Sequence, residues 1–227
     1  MLKDNIYSGT NIPNPSIKKG ESTKRLINIL EASLLIFHNQ YLGEITTSED
    51  VLNEYLVKIL IYNSKELPLI FVNEVNQKQL KGQNRNVDIG VFYHYSESKP
   101  LFTIEAKRLP TPTKHREKEY VIGGDPKKIS GGIERFKHNV HGVDLKHSAM
   151  VAYIQREDSV YWFGKINEWI RQLICGNIKS ALIWTSDDKL VNTCQFADSR
   201  ISKFVSNSGK TNNTNIELFH FFINMIN

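Results

Sequence analysis

Val87-Asp88-Ile89-Gly90-Val91-Phe92-Tyr93 and Leu101-Phe102-Thr103-Ile104-Glu105-Ala106-Lys107-Arg108 decide how this chain is read. Each run is apolar and rich in β-branched or aromatic residues until it meets its charged ones, as a strand packed into a sheet would be. The stretch between them, Tyr95-Ser96-Glu97-Ser98-Lys99-Pro100, is polar and ends in proline, which predicts a hairpin loop. Side chains alternate along a strand, so Glu105 and Lys107 share one face and Ala106 points the other way. Two acids and a lysine on buried strands are costly to desolvate unless they pair or hold a cation. The plainer reading of the same residues is a Glu105–Lys107 salt bridge at a strand edge with Asp88 solvated nearby.

Outward from this pair, helical and extended patterns alternate. Residues 1–20 are polar, carry Pro13, Pro15 and Gly20, and read as an extended arm; residues 21–227 read as a single domain. Over 21–41, Leu26, Ile29, Leu30, Leu34 and Phe37 recur at helical spacing. Thr47 or Ser48 can cap a second helix reaching about Tyr62, with Glu49 and Asp50 in its first turn. Residues 69–75 predict a first strand and 77–86 a polar loop. Beyond the motif strands, Pro110 and Pro112 end the third strand, and a basic loop leads through Gly123-Gly124 and Gly131-Gly132 to a short helix over 133–139. A strand over 149–155 and an amphipathic helix over 162–175 follow. Residues 181–185 and 216–226 predict further strands, separated by a loop rich in Ser, Asn and Thr.

Composition bounds the function class. The chain has 227 residues, 40% hydrophobic and 23% charged, as an ordinary globular protein does. The N-terminus lacks the apolar core of a signal peptide, and the best apolar run, 26–37, is interrupted by Asn28, Glu31 and Ser33. The expectation is a cytoplasmic protein with no membrane partner. Cys175 and Cys194 make neither a disulfide framework nor a zinc cluster and read as buried or incidental thiols. Net charge is +5, and between Glu105 and His147 there are 10 Lys and Arg against 6 Asp and Glu. A local positive field beside carboxylates suits a polyanion approaching acidic metal ligands; a charge-mixed solvated surface is the alternative.

Asp88 on one strand, followed by Glu105-Ala106-Lys107 on the next, resembles the PD-(D/E)XK superfamily, the restriction-endonuclease-like nucleases. The resemblance covers about Ser48 to Gln155, with Val87 where the family often has proline. It implies an α/β (α+β) fold with an αβββαβ core, a central mixed sheet flanked by helices. It further implies Mg²⁺-dependent hydrolysis of phosphodiester bonds in nucleic acid, DNA favoured, in a restriction or anti-phage defence setting. Mg²⁺ takes oxygen ligands, keeps waters and uses one or two carboxylates, and Mn²⁺ is expected to substitute. Asp88 and Glu105 would be ligands, joined by the Ala106 carbonyl as in the family. Lys107 would act on the attacking water, as orienter or as base, or hold the scissile phosphate; the sequence leaves these open.

The family usually adds an acid from the helix before the sheet. On a helical wheel Glu49 lies within about 70° of the centre of the apolar stripe and Glu54 roughly 150° away, so only Glu49 can face the sheet. Glu49 is therefore the fourth candidate ligand, or simply a first-turn acid answering the helix dipole. Arg116, Lys118, Arg135 and Lys137 are candidate phosphate contacts, and Gly131-Gly132 could offer backbone amides to a phosphate. His138 and His141 have ligand-like spacing but no third partner, and read as surface histidines. Gln155, ending a strand beside the core, is placed near the site. Two other functions stay open: a catalytically silent nucleic-acid-binding or assembly module, and an effector subunit that cleaves only with an activating protein partner. A homodimer is also compatible with the sequence.

Overall fold

A helix pair opens the described chain: α1 (Glu21–Gln40) and α2 (Glu49–Asn63). Three strands follow, β1 (Leu69–Gln77), β2 (Arg85–Tyr93) and β3 (Phe102–Leu109), then the short α3 (Gly132–Lys137) and β4 (His147–Ile154). After α4 (Ser159–Ile174) come β5 (Val191–Asn192), β6 (Ile201–Gly209) and β7 (Asn215–Asn224). The computed structural model describes residues 21–44, 46–77, 85–94, 99–125, 128–192 and 200–226. The expected N-terminal arm, the 95–98 tip of the hairpin loop and Cys194 lie outside them.

The seven strands form one mixed sheet in the order β1-β2-β3-β4-β7-β6-β5. β3, β4 and β7 run parallel at its centre, and the remaining neighbours are antiparallel. Central parallel strands are covered on both faces, and β4 is buried from Ser148 through Ile154. On one face Leu30, Leu34 and Phe37 of α1 and Leu52, Leu56 and Leu60 of α2 pack on Ile89, Val91, Ile104 and Ala106. On the other, Phe136 of α3 and Trp162, Ile166 and Ile170 of α4 pack on Met150, Ala152, Leu218 and Phe222. A buried hydrogen bond from the Tyr153 hydroxyl to Asn53 Oδ1 (2.9 Å) fixes α2 over β4.

One irregularity prepares a site. β2 and β3 pair from Val91↔Phe102 to Ile89↔Ile104 and no further, whereas β3 stays paired with β4 as far as Leu109↔Ile154. From Glu105 onward the β2-facing edge of β3 is open. Asp88 fills the gap, its carboxylate accepting the Ala106 amide at 2.7 Å in place of a ladder partner.

Two sequence expectations are corrected. Residues 181–185 form no strand: the Ser180 hydroxyl accepts from the Leu182 amide (3.1 Å) and from Trp184 Nε1 (3.0 Å), a local turn that competes with sheet pairing. Trp184 is buried there while Ile183 stays 84% exposed. Conversely, part of the Ser/Asn/Thr-rich loop is strand β6, whose inward positions include the small Ser206 and Ser208 instead of large apolar residues. Cys175 is exposed. Among the described residues no helix is long and apolar enough to cross a membrane.

Candidate active site

Ser48 caps α2, its hydroxyl accepting weakly from the Val51 amide at 3.5 Å, and so places Glu49 in the first turn above the open edge of β3. Glu49 Oε2 accepts the Arg108 main-chain amide at 3.0 Å, and Glu49 Oε1 accepts from Lys107 Nζ at 2.9 Å. Two further contacts anchor the approach to this helix: Arg108 Nη1 to the Thr47 carbonyl (3.3 Å) and Gln155 Nε2 to the same carbonyl (2.9 Å). Gln155 thus supports the site from behind. Glu54 lies on the exposed side of α2.

The four residues singled out from sequence converge on one atom. Lys107 Nζ lies 2.9 Å from Glu49, 3.0 Å from Glu105, 3.8 Å from Asp88 and 2.6 Å from the Ala106 carbonyl oxygen. The lysine side chain is 7% exposed and Glu105 is fully buried, so this is not the solvated edge pair of the plainer reading. Arg135 Nη1 reaches Glu105 Oε1 at 2.5 Å, and His141 Nδ1 stands 3.0 Å from Glu105 Oε2. Glu105 Oε2 and both His141 ring nitrogens are nevertheless buried without a hydrogen-bond partner.

Three acids against two permanent cations leave the cluster short of positive charge. The deficit falls on Asp88: burial first, then the Glu105 carboxylate, raises its pKa to about 7. Burial also opposes ionisation of Glu105, but Lys107, His141 and Arg135 outweigh it and hold Glu105 well below the usual carboxylate range. For Lys107, burial opposes charge and the carboxylates of Glu105, Asp88 and Glu49 overcome it, so the ammonium is held above its ordinary pKa. With only these carboxylates around it, Lys107 is favoured as the ammonium.

Among the described residues no three His, Cys, Asp or Glu side chains form a ready metal centre. The carboxylates point at an ammonium instead of at one another. The donor chemistry nevertheless fits a hard divalent cation: three carboxylates and a carbonyl already gather around one positive charge, and Asp88 reports negative charge left uncompensated. No protein-family model, curated protein or solved structure matches this chain.

The candidate phosphate contacts fare differently from the acids. Lys137 is buried, donating to Asp188 Oδ1 and Oδ2 at 2.7 and 2.9 Å, so it is a structural cation and the expected contact is corrected. Arg135 is committed to Glu105 and faces the acids rather than solvent, a second correction. Arg116 is exposed but clasped by Glu119 through Nε at 2.8 Å and 2.9 Å. Lys118 is half-buried. The glycine-pair amides are also spent internally: Gly131 donates to Glu134 Oε2 at 2.9 Å and Gly132 to the Glu119 carbonyl at 2.8 Å. With the Gly123 and Ser130 amides also on Glu134 Oε2, the backbone does form an anion cradle, but a carboxylate of the same chain occupies it.

His141 was missed as a site residue. It is fully buried against Glu105 instead of lying on the surface, because the turn after α3 returns the chain beneath β3. No spacing in the sequence signals this contact.

Proposed function

We propose that this protein is a Mg²⁺-dependent nuclease, with DNA the favoured substrate and a restriction or defence role, built on a restriction-endonuclease-like αβββαβ core. The order α2-β1-β2-β3-α3-β4 agrees with that core. The observation that carries the reading is the convergence of Glu49, Asp88, Glu105 and the Ala106 carbonyl around Lys107 Nζ at an open strand edge. Glu49, Asp88, Glu105 and the Ala106 carbonyl would hold the cation. A bound Mg²⁺ supplies Lewis-acid stabilisation of a phosphate oxygen and lowers the pKa of a bound water.

The protein's own groups have separable tasks. Arg135 holds the buried Glu105 carboxylate in one orientation, and the Arg108 amide does the same for Glu49. Lys107, within reach of every proposed ligand, is placed to bind the scissile phosphate or to act on the attacking water, as orienter or as base.

The test is cleavage of DNA with Mg²⁺, Mn²⁺ or EDTA, comparing parent and Lys107→Ala. Cleavage by the parent that stops in EDTA, and falls by at least a hundredfold in Lys107→Ala while Mn²⁺ titration still shows binding, supports the reading. Cleavage that survives chelation, or proceeds at the parent rate in Lys107→Ala, overturns it.

A further inference from the structure

A nuclease must hold its substrate, and this fold commits most of the basic residues beside the acids to internal partners. Arg135, Lys137 and Arg116 are held by Glu105, Asp188 and Glu119. Cations without a carboxylate partner among the described residues are found next door. An open cleft of about 600 Å³ lies where β3 and β4 end, beside the N-terminus of α2. Arg108, Lys114, Arg156 and Tyr161 line it, with Glu117 and Glu157 as its acids.

The cleft adjoins the acid cluster through shared residues. Arg108 lines it and also follows Lys107, donating its amide to Glu49; Thr46, another wall residue, lies three positions before Glu49. The Arg108 head group meets only carbonyls, those of Thr46 (3.4 Å) and Thr47 (3.3 Å), and its Nε is buried without a hydrogen-bond partner. Arg156 and Lys114 are exposed and have no acidic partner among the described residues. Tyr161 is 45% exposed; its ring stands edge-on to the buried Trp162 at 5.2 Å and 90°. An anchored, half-exposed aromatic ring beside unpaired cations is how proteins hold single strands: bases stack on the ring and phosphates follow the charge. A volume of about 600 Å³ has room for one or two nucleotides.

We propose that this cleft binds an unpaired stretch of nucleic acid flanking the bond to be cut, with a base stacked on Tyr161 and backbone phosphates on Arg108, Arg156 and Lys114. It rests on the nuclease reading and adds to it a preference for single-stranded or locally opened substrate.

Binding of a fluorescein-labelled oligodeoxythymidylate and of a duplex of equal length, measured by anisotropy in EDTA over a range of salt, tests this. The parent is compared with Tyr161→Ala, Tyr161→Phe, Arg156→Glu and Lys114→Glu. Lys58→Glu, an exposed change on α2 away from the cleft, controls for net charge. Tyr161→Ala is expected to lose about five- to a hundredfold in single-strand affinity and Tyr161→Phe to keep it, since stacking needs the ring and not the hydroxyl. Each charge reversal should weaken binding and flatten the salt slope by roughly 0.7 per lost phosphate contact, and Lys58→Glu should leave that slope unchanged. Parent-like single-strand binding by Tyr161→Ala and Arg156→Glu overturns the inference. So does a parent that cleaves duplex but binds no single strand, which leaves the nuclease reading intact. A parent that neither binds nor cleaves any nucleic acid overturns both.

Discussion

Replacing Lys137 by alanine separates a structural cation from a substrate contact. Its ammonium sits between the two oxygens of the buried Asp188 and 4.9 Å from the Trp184 ring centroid. Removing one member of a buried pair leaves an uncompensated charge, at a cost of about 3–5 kcal/mol. Asp188 would keep two donors, the Thr185 amide at 2.8 Å and the Ser208 hydroxyl at 2.7 Å, which favours the low end. Loss of the desolvated cation–π contact adds on the order of 1 kcal/mol. Lys137→Ala should therefore destabilise by roughly 4 kcal/mol, lowering Tm by about 10 °C in a chain of this size. Urea denaturation followed by circular dichroism measures it. Lys137→Met combined with Asp188→Asn removes both charges; the amide oxygen still accepts from the Thr185 amide while its NH2 donates to the Ser208 hydroxyl, so most of the loss should be recovered. A Lys137→Ala protein within about 1 kcal/mol of the parent, with weakened nucleic-acid binding, would restore the surface-contact reading and refute this one.

Acid stability should depend on His220, fully buried between the Tyr120 hydroxyl and the Ser206 hydroxyl, each at 2.9 Å. Burial lowers its pKa to about 3 from the usual 6.5, so the unfolded chain takes up a proton first as pH falls. The stability this group contributes is fully present above pH 6.5 and lost progressively toward pH 3; His220→Gln should flatten that decline, and identical pH profiles would refute it. Gly131→Ala should destabilise by about 2 kcal/mol or more, because the added Cβ would meet backbone atoms of Ile122 at 2.3–2.6 Å and backbone cannot rotate away. A thermal melt unchanged by that substitution would show that Gly131 does not pack against the Ile122 backbone as described.

The parts legible in the sequence are those set by local pattern. Alternation placed Glu105 and Lys107 on one face, and a helical wheel chose Glu49 over Glu54 from the stripe of Val51, Leu52, Tyr55, Leu56, Ile59 and Leu60; Glu49 does meet Lys107, although Val51 of that stripe is exposed. What stayed hidden depends on partners distant in sequence. Nothing near Lys137 announces Asp188, 51 residues on, and nothing near His141 announces Glu105. Strand β6 was hidden because its inward serines are small and polar, and residues 181–185 misled because an apolar run was turned by a single serine hydroxyl. Part of the basic stretch read as one positive field, Lys107, Arg135 and Lys137, is internal wiring, so charge counting found its sign but not which residues face outward.

The central claim is that Glu49, Asp88 and Glu105 hold a divalent cation at the open edge of β3. Diffraction from crystals soaked in Mn²⁺, recorded for its anomalous signal, tests this most directly. The account predicts a peak between Asp88 and Glu105, with Lys107 displaced from its place among their oxygens. A peak elsewhere, or none with Lys107 still seated between the carboxylates at saturating Mn²⁺, would contradict it.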